Sequence, residues 1–182
     1  TLAESYAITV KSISDNYEQS REVIPGIRDA LAEINDSSIH YGIAGKGGLY
    51  DALISLADEL GIGDNVHVLG HRSDIPELYK SSDVCVFPSL REGLGLAAIE
   101  GMAAGLPLII SDNRGAKSLA VDNVNAIVCP IGHDAAPYAS AIKRLRDDKA
   151  LCESMGEYNK NFAWKFEVSA INVRMREIYN EQ

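Results

Sequence analysis

The sequence is poor in cysteine, in basic charge and in long apolar runs, and each shortage excludes a class of protein. Its three cysteines, Cys85, Cys129 and Cys152, are odd in number and widely spaced, which predicts neither a disulfide framework nor a zinc cluster. With 17 Lys and Arg against 26 Asp and Glu, the net charge of −9 argues against binding to nucleic acid or to an anionic membrane surface. No apolar run approaches the roughly 18 residues that a membrane-spanning helix needs.

Several short catalytic signatures are also missing. The sequence has no nucleophile elbow, no Walker loop and no His-Glu-x-x-His motif. His40, His67 and His133 lack the spacing of metal ligands, so we expect no metal and no cofactor. Residues 1–10 do not combine a basic stretch with an apolar one, which predicts no signal peptide and a cytoplasmic location.

What the sequence does contain is enough apolar material, 46% of 182 residues, for the core of one domain. Its β-branched runs predict strands at residues 6–13, 39–44, 66–69, 84–87, 108–110 and 126–128. Its helical stripes predict helices at residues 24–34, 49–60, 75–80, 95–104, 134–146, 150–161 and 166–180. This alternation predicts an α/β fold, a doubly wound parallel sheet, with a C-terminal helical segment. We expect a single domain over residues 1–182, with the final helices (about 134–182) packing on it.

Two glutamates, Glu92 and Glu100, lie on either side of a Gly-x-Gly turn that follows strand-like residues 84–87. On a helix of 3.6 residues per turn, residues eight apart lie within ~80° of one face, so Glu100 is expected about two turns below Glu92. Carboxylates accept hydrogen bonds from hydroxyls, the first N–H groups of a helix bind phosphate, and Gly93 and Gly95 allow close approach. The expected ligand therefore has both hydroxyls and phosphates, as a nucleotide-sugar does.

The same two glutamates have a purely structural interpretation. Glu92 could be a favourable charge near a helix N-terminus, and Glu100 a solvated helix residue. Against this, Glu100 lies in a segment that is apolar on all sides, where a carboxylate is costly without a partner. We therefore favour a functional role for the pair.

Three further loops follow predicted strands: residues 45–48, 70–74 and 111–115. Because ligands bind beyond the carboxyl ends of parallel strands, all three are expected to meet the same ligand as Glu92. The first loop could hold phosphate through Gly45 and Lys46, but Tyr50 replaces the last glycine of a dinucleotide fingerprint, and a tight turn fits as well. In the other loops His71 and Arg72 could contact a base and Arg114 an anion, or each could be an ordinary polar loop residue.

Residues 43–130 resemble the donor-binding, carboxyl-terminal domain of retaining glycosyltransferases of family 4, which have the GT-B fold. The resemblance rests on the sequences FPSLREGLG at residues 87–95, EGMAAGLP at residues 100–107 and GHRSDIPEL at residues 70–78. It implies transfer of a sugar from a nucleotide-diphosphate sugar, with a UDP-sugar favoured, to a glycan or lipid-linked acceptor, and usually without an essential metal.

The resemblance also implies a role for individual residues. Glu92 would contact the hydroxyls of the donor sugar, and Glu100 would bind the ribose of the nucleotide. The backbone of Gly93, Leu94, Gly95 and Leu96 would face the diphosphate, and the loop of His71 and Arg72 would lie against the base. Lys11, Gly45 and Lys46 complete the expected donor-binding set.

Two departures from the family pattern limit what the chain is expected to do. Ser12 and Tyr17 stand where the family has an Arg and a Lys directed at the diphosphate, with Lys11 or Arg21 as substitutes. The acceptor-binding N-terminal domain of a GT-B enzyme is absent, so the chain alone should bind donor without efficient transfer; through that domain the enzyme would lie at the inner face of the membrane. A catalytically degenerate nucleotide-sugar-binding or regulatory module and a GT-B nucleotide-sugar epimerase stay as alternatives.

Overall fold

The described strands form one parallel sheet. The computed structural model of the chain describes residues 6–11, 29–45, 48, 50–131 and 134–180, with the backbone alone for 6–11 and 178–180. The strands are β1 (Tyr6–Lys11), β2 (Ile39–Ala44), β3 (Val66–Gly70), β4 (Val84–Phe87), β5 (Leu108–Ser111) and β6 (Ala126–Cys129). Their order is β3-β2-β1-β4-β5-β6, and every neighbouring pair is parallel.

Helices connect these strands on both faces of the sheet. Residues 29–34 are helical (α1), and the later helices are α2 (Tyr50–Glu59), α3 (Ile75–Lys80), α4 (Leu96–Ala103), α5 (Ala136–Asp147), α6 (Lys149–Ala163) and α7 (Val168–Asn180). Short 3-10 turns lie at Gly63–Asn65, Ala116–Ser118 and Trp164–Phe166. Because the strand order runs outward from β1 and β4 in opposite directions, the sheet is doubly wound, and the predicted fold class is confirmed.

Each face of the sheet carries its own core, since successive residues of a strand point to opposite faces. Val84 and Val86 face the cluster that includes residues of α1, α2 and α5, whereas Cys85 and Phe87 face residues of α3, α4 and the end of α6. Helix α4 lies directly on β4 at Gly101, where an added Cβ would be 2.7 Å from the Cys85 Sγ. This contact sets how far α4, and the loop before it, can lie from the sheet.

The predicted bounds are confirmed for β2, α3 and β4, and the other described elements differ at their ends. Helix α7 begins two residues later than predicted because Trp164–Phe166 forms a 3-10 turn. Helix α6 is longer than predicted, and its N-terminus is capped by the Asp148 side chain, which accepts a hydrogen bond from the Leu151 N–H at 2.9 Å. Predicted strand residues 12–13 and helix residues 24–28 lie outside the described residues.

The last three helices differ in what they contact. Buried residues of α5 belong to the core against β5 and β6, and α6 packs along α4. Every described side chain of α7, residues 168–177, is exposed. None of the helices in the described part of the chain has the length and apolar character needed to cross a membrane.

A pair of histidines joins β2 to β3. The Nδ1 of His40 lies 3.0 Å from the Nε2 of His67, and the two ring centroids are 5.2 Å apart. Partial burial lowers the pKa of His67, and the neighbouring His40 lowers it further. Since the ordinary value is 6.5, the unfolded chain binds a proton at this position at a higher pH than the folded chain does.

We therefore expect the free energy of unfolding to decrease as the pH falls below about 6.5, and the His67→Gln variant to show a smaller decrease. Urea unfolding of both proteins at pH 7.5, 6.5 and 5.5 measures the difference. An identical pH dependence in the two proteins would contradict this prediction.

Candidate functional site

The sheet brings the predicted loops to one edge. Its strand order reverses between β1 and β4, and in such sheets a crevice opens at the carboxyl ends of the strands on either side of the reversal. The loops lie along this edge in the order of their strands: residues 70–74 after β3, the turn at Gly45 after β2, residues 88–95 after β4, and residues 112–115 after β5. The loop that carries Glu92 is therefore next to the reversal point.

Glu92 lies in this loop and not on the helix. Helix α4 begins at Leu96 because Gly95 adopts a left-handed conformation with φ of 72°. The expectation that Glu100 lies two helical turns below Glu92 is therefore wrong. The Glu92 side chain is half-buried and folds back, so that its Oε1 accepts a hydrogen bond from the Gly93 N–H at 3.1 Å.

Gly95 also has no room for a side chain. A Cβ there would lie 3.2 Å from Cε1 of Phe87 and 3.3 Å from Cδ1 of Leu119. As the N-cap it offers no side-chain acceptor to the first turn of α4, whose N–H groups thus remain without a side-chain cap. Leu94 and Leu96, on either side, are 46% and 67% exposed, so the start of the helix is open to an anionic ligand.

Glu100 is exposed, so the expectation that its carboxylate lies in apolar surroundings, where it is costly, is wrong, and its exposure matches the alternative of a solvated helix residue. Its charge still acts on buried neighbours. Burial raises the pKa of the Cys85 thiol to about 12, and the Glu100 charge contributes to this increase. Burial is the main cause that raises the pKa of Tyr79, and Cys85 and Glu100 raise it further. The Tyr79 hydroxyl donates a hydrogen bond to the Ala97 carbonyl at 2.8 Å. The Cys85 thiol is therefore protonated at neutral pH and is no nucleophile. The buried residues of α4 are Ala98, Ile99, Gly101 and Met102.

The loop after β5 packs against the loop that carries Glu92. The Ser111 hydroxyl and the Asn113 amide both donate to the Ser89 carbonyl oxygen, the amide at 2.7 Å. At Gly115 an added Cβ would lie 2.7 Å from the Glu92 carbonyl oxygen. The sequence predicted a turn that meets the ligand, with Arg114 toward an anion, and did not predict this structural role. Polar Ser111 at the end of a core strand, with Asn113 close behind it, was the available signal.

On the other side of the reversal, the turns after β2 and β3 are hydrogen-bonded to each other. The Gly45 N–H donates to the Gly70 carbonyl at 2.7 Å. His71 is exposed, and Arg72 is paired with Asp74, its Nε donating to Oδ1 at 2.8 Å. This hydrogen bond lowers the pKa of the Asp74 carboxyl. The structure thus brings Gly45, His71 and Arg72 together, with the Arg72 charge directed at Asp74.

The remaining predicted positions are only partly described. Lys11 is the last residue of β1, between β2 and β4, and its backbone alone is described. Lys46, Ser12 and Tyr17 lie outside the described residues. Among the residues whose side chains are described, no three His, Cys, Asp or Glu side chains form a group that could hold a metal ion.

A family model matches the chain over all six strands and their loops. It is the model of glycosyl transferases group 1, and it matches residues 5–162. The chain belongs to the group 1 glycosyltransferases. The matched region includes the whole of the candidate site and ends just before the Trp164–Phe166 turn.

Among similar sequences, EpsD of Bacillus subtilis is 36% identical to this glycosyltransferase chain over 151 residues, which are 83% of the chain and 39% of EpsD. A D-inositol 3-phosphate glycosyltransferase of Corynebacterium jeikeium is 34% identical over 143 residues, 77% of the chain and 34% of that protein. The chain therefore spans little more than a third of the length of these relatives.

Among solved structures, HepE of Anabaena in complex with UDP superposes with a TM-score of 0.87 at 22% identity. The superposition covers 98% of the chain and 50% of HepE. HepE structures with UDP and glucose and with UDP-glucose match similarly, at TM-scores of 0.86 and 0.85. The fold is thus that of one half of a GT-B structure.

Proposed function

We propose that this chain is the donor-binding half of a family 4 glycosyltransferase, which moves a sugar with retention from a nucleotide-diphosphate sugar to a glycan or lipid-linked acceptor. A UDP-sugar is the favoured donor, because HepE, whose fold the chain shares, forms complexes with UDP and UDP-glucose. The acceptor would bind to a domain outside this chain, at the inner face of the membrane. The chain alone would bind donor and would be inactive as a transferase without its N-terminal half.

One observation carries the proposal: along the chain, Glu92 precedes and Glu100 follows the open start of α4, which comes after β4 next to the reversal point of the sheet. A nucleotide-diphosphate sugar presents sugar hydroxyls, then two phosphates, then ribose hydroxyls. Along the chain, Glu92 offers acceptors for the sugar hydroxyls, and the first N–H groups of α4 offer donors to the phosphates. Glu100 then offers acceptors for the ribose hydroxyls. The turns at Gly45 and His71 leave the base an adjacent place along the same edge.

The start of α4 also suits the chemistry of the reaction. When the bond to the anomeric carbon breaks, negative charge develops on the departing diphosphate. The positive end of a helix dipole and its N–H groups stabilise such charge without reorganisation. Lys11 is the last residue of β1. We propose that Lys11, together with Lys46, which comes two residues after β2 in the sequence, adds positive charge toward the diphosphate.

Titration of the chain with UDP, UDP-glucose, UDP-galactose, UDP-N-acetylglucosamine, GDP-mannose and ADP-glucose tests the proposal by calorimetry. We expect one sugar nucleotide to bind more tightly than the others. The Glu100→Ala variant should bind it, and its free nucleotide, about 10- to 100-fold more weakly, because hydrogen bonds to a charged acceptor contribute roughly 1.5–3 kcal/mol. Glu92→Ala should weaken the sugar nucleotide alone.

Glu153→Ala provides the control, since Glu153 is an exposed glutamate of α6 away from this edge. It should bind every ligand as the unmodified chain does. Absence of binding by all six ligands, or equal affinities in the Glu100→Ala and Glu153→Ala variants, would falsify the assigned site.

The degenerate-module alternative rests on Ser12 and Tyr17, which stand where the family has two cations. The full-length protein, supplied with the best-binding donor and glycan or lipid acceptors, separates the two functions. Measurable transfer of sugar eliminates the alternative. Binding without transfer, against an active control enzyme, supports it.

A further inference from the structure

The loop that carries Glu92 is held in place by the loop after β5. The Ser89 carbonyl oxygen accepts two hydrogen bonds from there, one from the Ser111 hydroxyl and one from the Asn113 amide at 2.7 Å. Both donors are buried, Ser111 completely and Asn113 to 98%. Because the donors are buried, water does not compete with the Ser89 carbonyl for them.

The position of Asn113 is itself fixed by a third contact. Its Oδ1 accepts a hydrogen bond from the Ala116 N–H at 2.9 Å, so one side chain spans from its own turn to the neighbouring loop. The amide orientation follows from these partners, since Oδ1 faces a donor and Nδ2 faces an acceptor. The Asn113 amide is therefore held by hydrogen bonds at both its oxygen and its nitrogen.

Three residues beyond Ser89, the same two loops touch again. The Cα of Gly115 lies so close to the Glu92 backbone that an added Cβ would be 2.7 Å from its carbonyl oxygen and 3.1 Å from its carbonyl carbon. The segment between Ser89 and Glu92 is thus held at both ends by residues 111–115. The backbone conformation of Glu92, and with it the reach of its carboxylate, depends on these contacts.

We propose that Ser111 and Asn113 are positioning residues for Glu92, which fix the loop so that its carboxylate meets the hydroxyls of the donor sugar. The inference rests on the proposed function, since it needs Glu92 to contact the sugar part of the donor. Both residues are buried, so neither offers its side chain to a ligand at the surface. Their effect should therefore appear in the affinity for the sugar nucleotide and not in the affinity for the nucleotide alone.

The test compares the best-binding sugar nucleotide of the panel with its free nucleoside diphosphate, in the chain and in four variants. Asn113→Ala should weaken the sugar nucleotide about 5- to 10-fold, the effect expected of one displaced hydrogen bond, and change the free nucleotide less than twofold. Ser111→Ala removes one of the two donors and should act in the same direction more weakly. Glu92→Ala/Asn113→Ala should match Glu92→Ala alone, because the two residues act through one contact.

Asn125→Ala is the matched control. Asn125 is also a buried asparagine, and it lies directly before β6. It should lower the melting temperature and leave the ratio of the two affinities unchanged. The same selective loss in Asn125→Ala, or equal weakening of both ligands in Asn113→Ala, would show that Asn113 acts through stability and overturn the proposal.

The experiment also separates this inference from the proposed function. If Glu92→Ala lowers the affinity for the sugar nucleotide and neither Ser111→Ala nor Asn113→Ala does so, the positioning role is wrong and the donor site stands. If Glu92→Ala has no effect on that affinity, the role of Glu92 is wrong and the positioning role falls with it.

Discussion

Replacement of Asn159 by leucine should lower the free energy of unfolding by about 3–5 kcal/mol. Asn159 is completely buried on α6, and its Nδ2 donates to the carbonyl oxygens of Leu106 and Asn125, each at 2.8 Å. Its Oδ1 accepts a hydrogen bond from Asn125 Nδ2 at 2.9 Å. Leucine offers no hydrogen bond to the Leu106 carbonyl, the Asn125 carbonyl or the Asn125 amide. Each lost hydrogen bond of a buried group lowers the free energy of unfolding by roughly 1–3 kcal/mol.

Urea unfolding and the melting temperature measure the effect, which corresponds to a decrease of about 10 °C in a chain of this size. Asn161→Leu is the control, because Asn161 lies two residues further along α6 and is exposed. It should change the free energy of unfolding by less than about 0.5 kcal/mol. Equal effects of the two substitutions would show that the buried hydrogen bonds of Asn159 contribute nothing.

Replacement of Gly156 by alanine should also destabilise the protein, although glycine to alanine in a helix ordinarily stabilises by about 1 kcal/mol. Helix α6 crosses the end of α4 at Gly156, where an added Cβ would lie 2.2 Å from the Gly105 carbonyl oxygen. Gly105 has φ of 83°, which other residues rarely adopt, so it cannot easily move away. We expect a loss of about 2–3 kcal/mol, as for other overpacked sites.

Thermal unfolding checks this prediction, with Ser154→Ala as the control at an exposed position of the same helix. Ser154→Ala should leave the melting temperature unchanged or slightly raised, since alanine is the better helix former. A melting temperature of Gly156→Ala at or above that of the unmodified chain would mean that the two helices separate without cost.

Local sequence patterns predicted the strands and helices well where burial on the sheet dominates. β4 is buried on both faces, and its continuous apolar run marked both ends. Helix α4 shows the limit of the same reasoning. Its apolar composition suggested a fully buried helix, yet Glu100 and Leu96 are exposed, because the helix covers one face of the sheet and leaves its other side open.

The candidate site was predictable as a set of loops and not as a geometry. Parallel strands carry the segments that follow them to one edge, so the loops near Gly45, His71 and Glu92 were expected together. Which of these loops lie next to one another was not predictable, since the strand order depends on which strands pair across the sheet. The backbone turn at Gly95 separates Glu92 from the helix, and Phe87 and Leu119 lie so close to it that a side chain at this position would be crowded.

The amino-acid sequence was sufficient for the α/β class, the approximate positions of the strands and helices, and the identity of the two glutamates, because periodicity and residue type act over a few neighbouring positions. The order of the strands, the exposure of Glu100 and the contacts of Asn113, Gly115 and Gly156 became known from the three-dimensional structure alone. Those depend on approaches of a few ångströms between segments distant in the chain. Side-chain type alone cannot specify such approaches, since the same asparagine or glycine serves equally well in an ordinary surface turn.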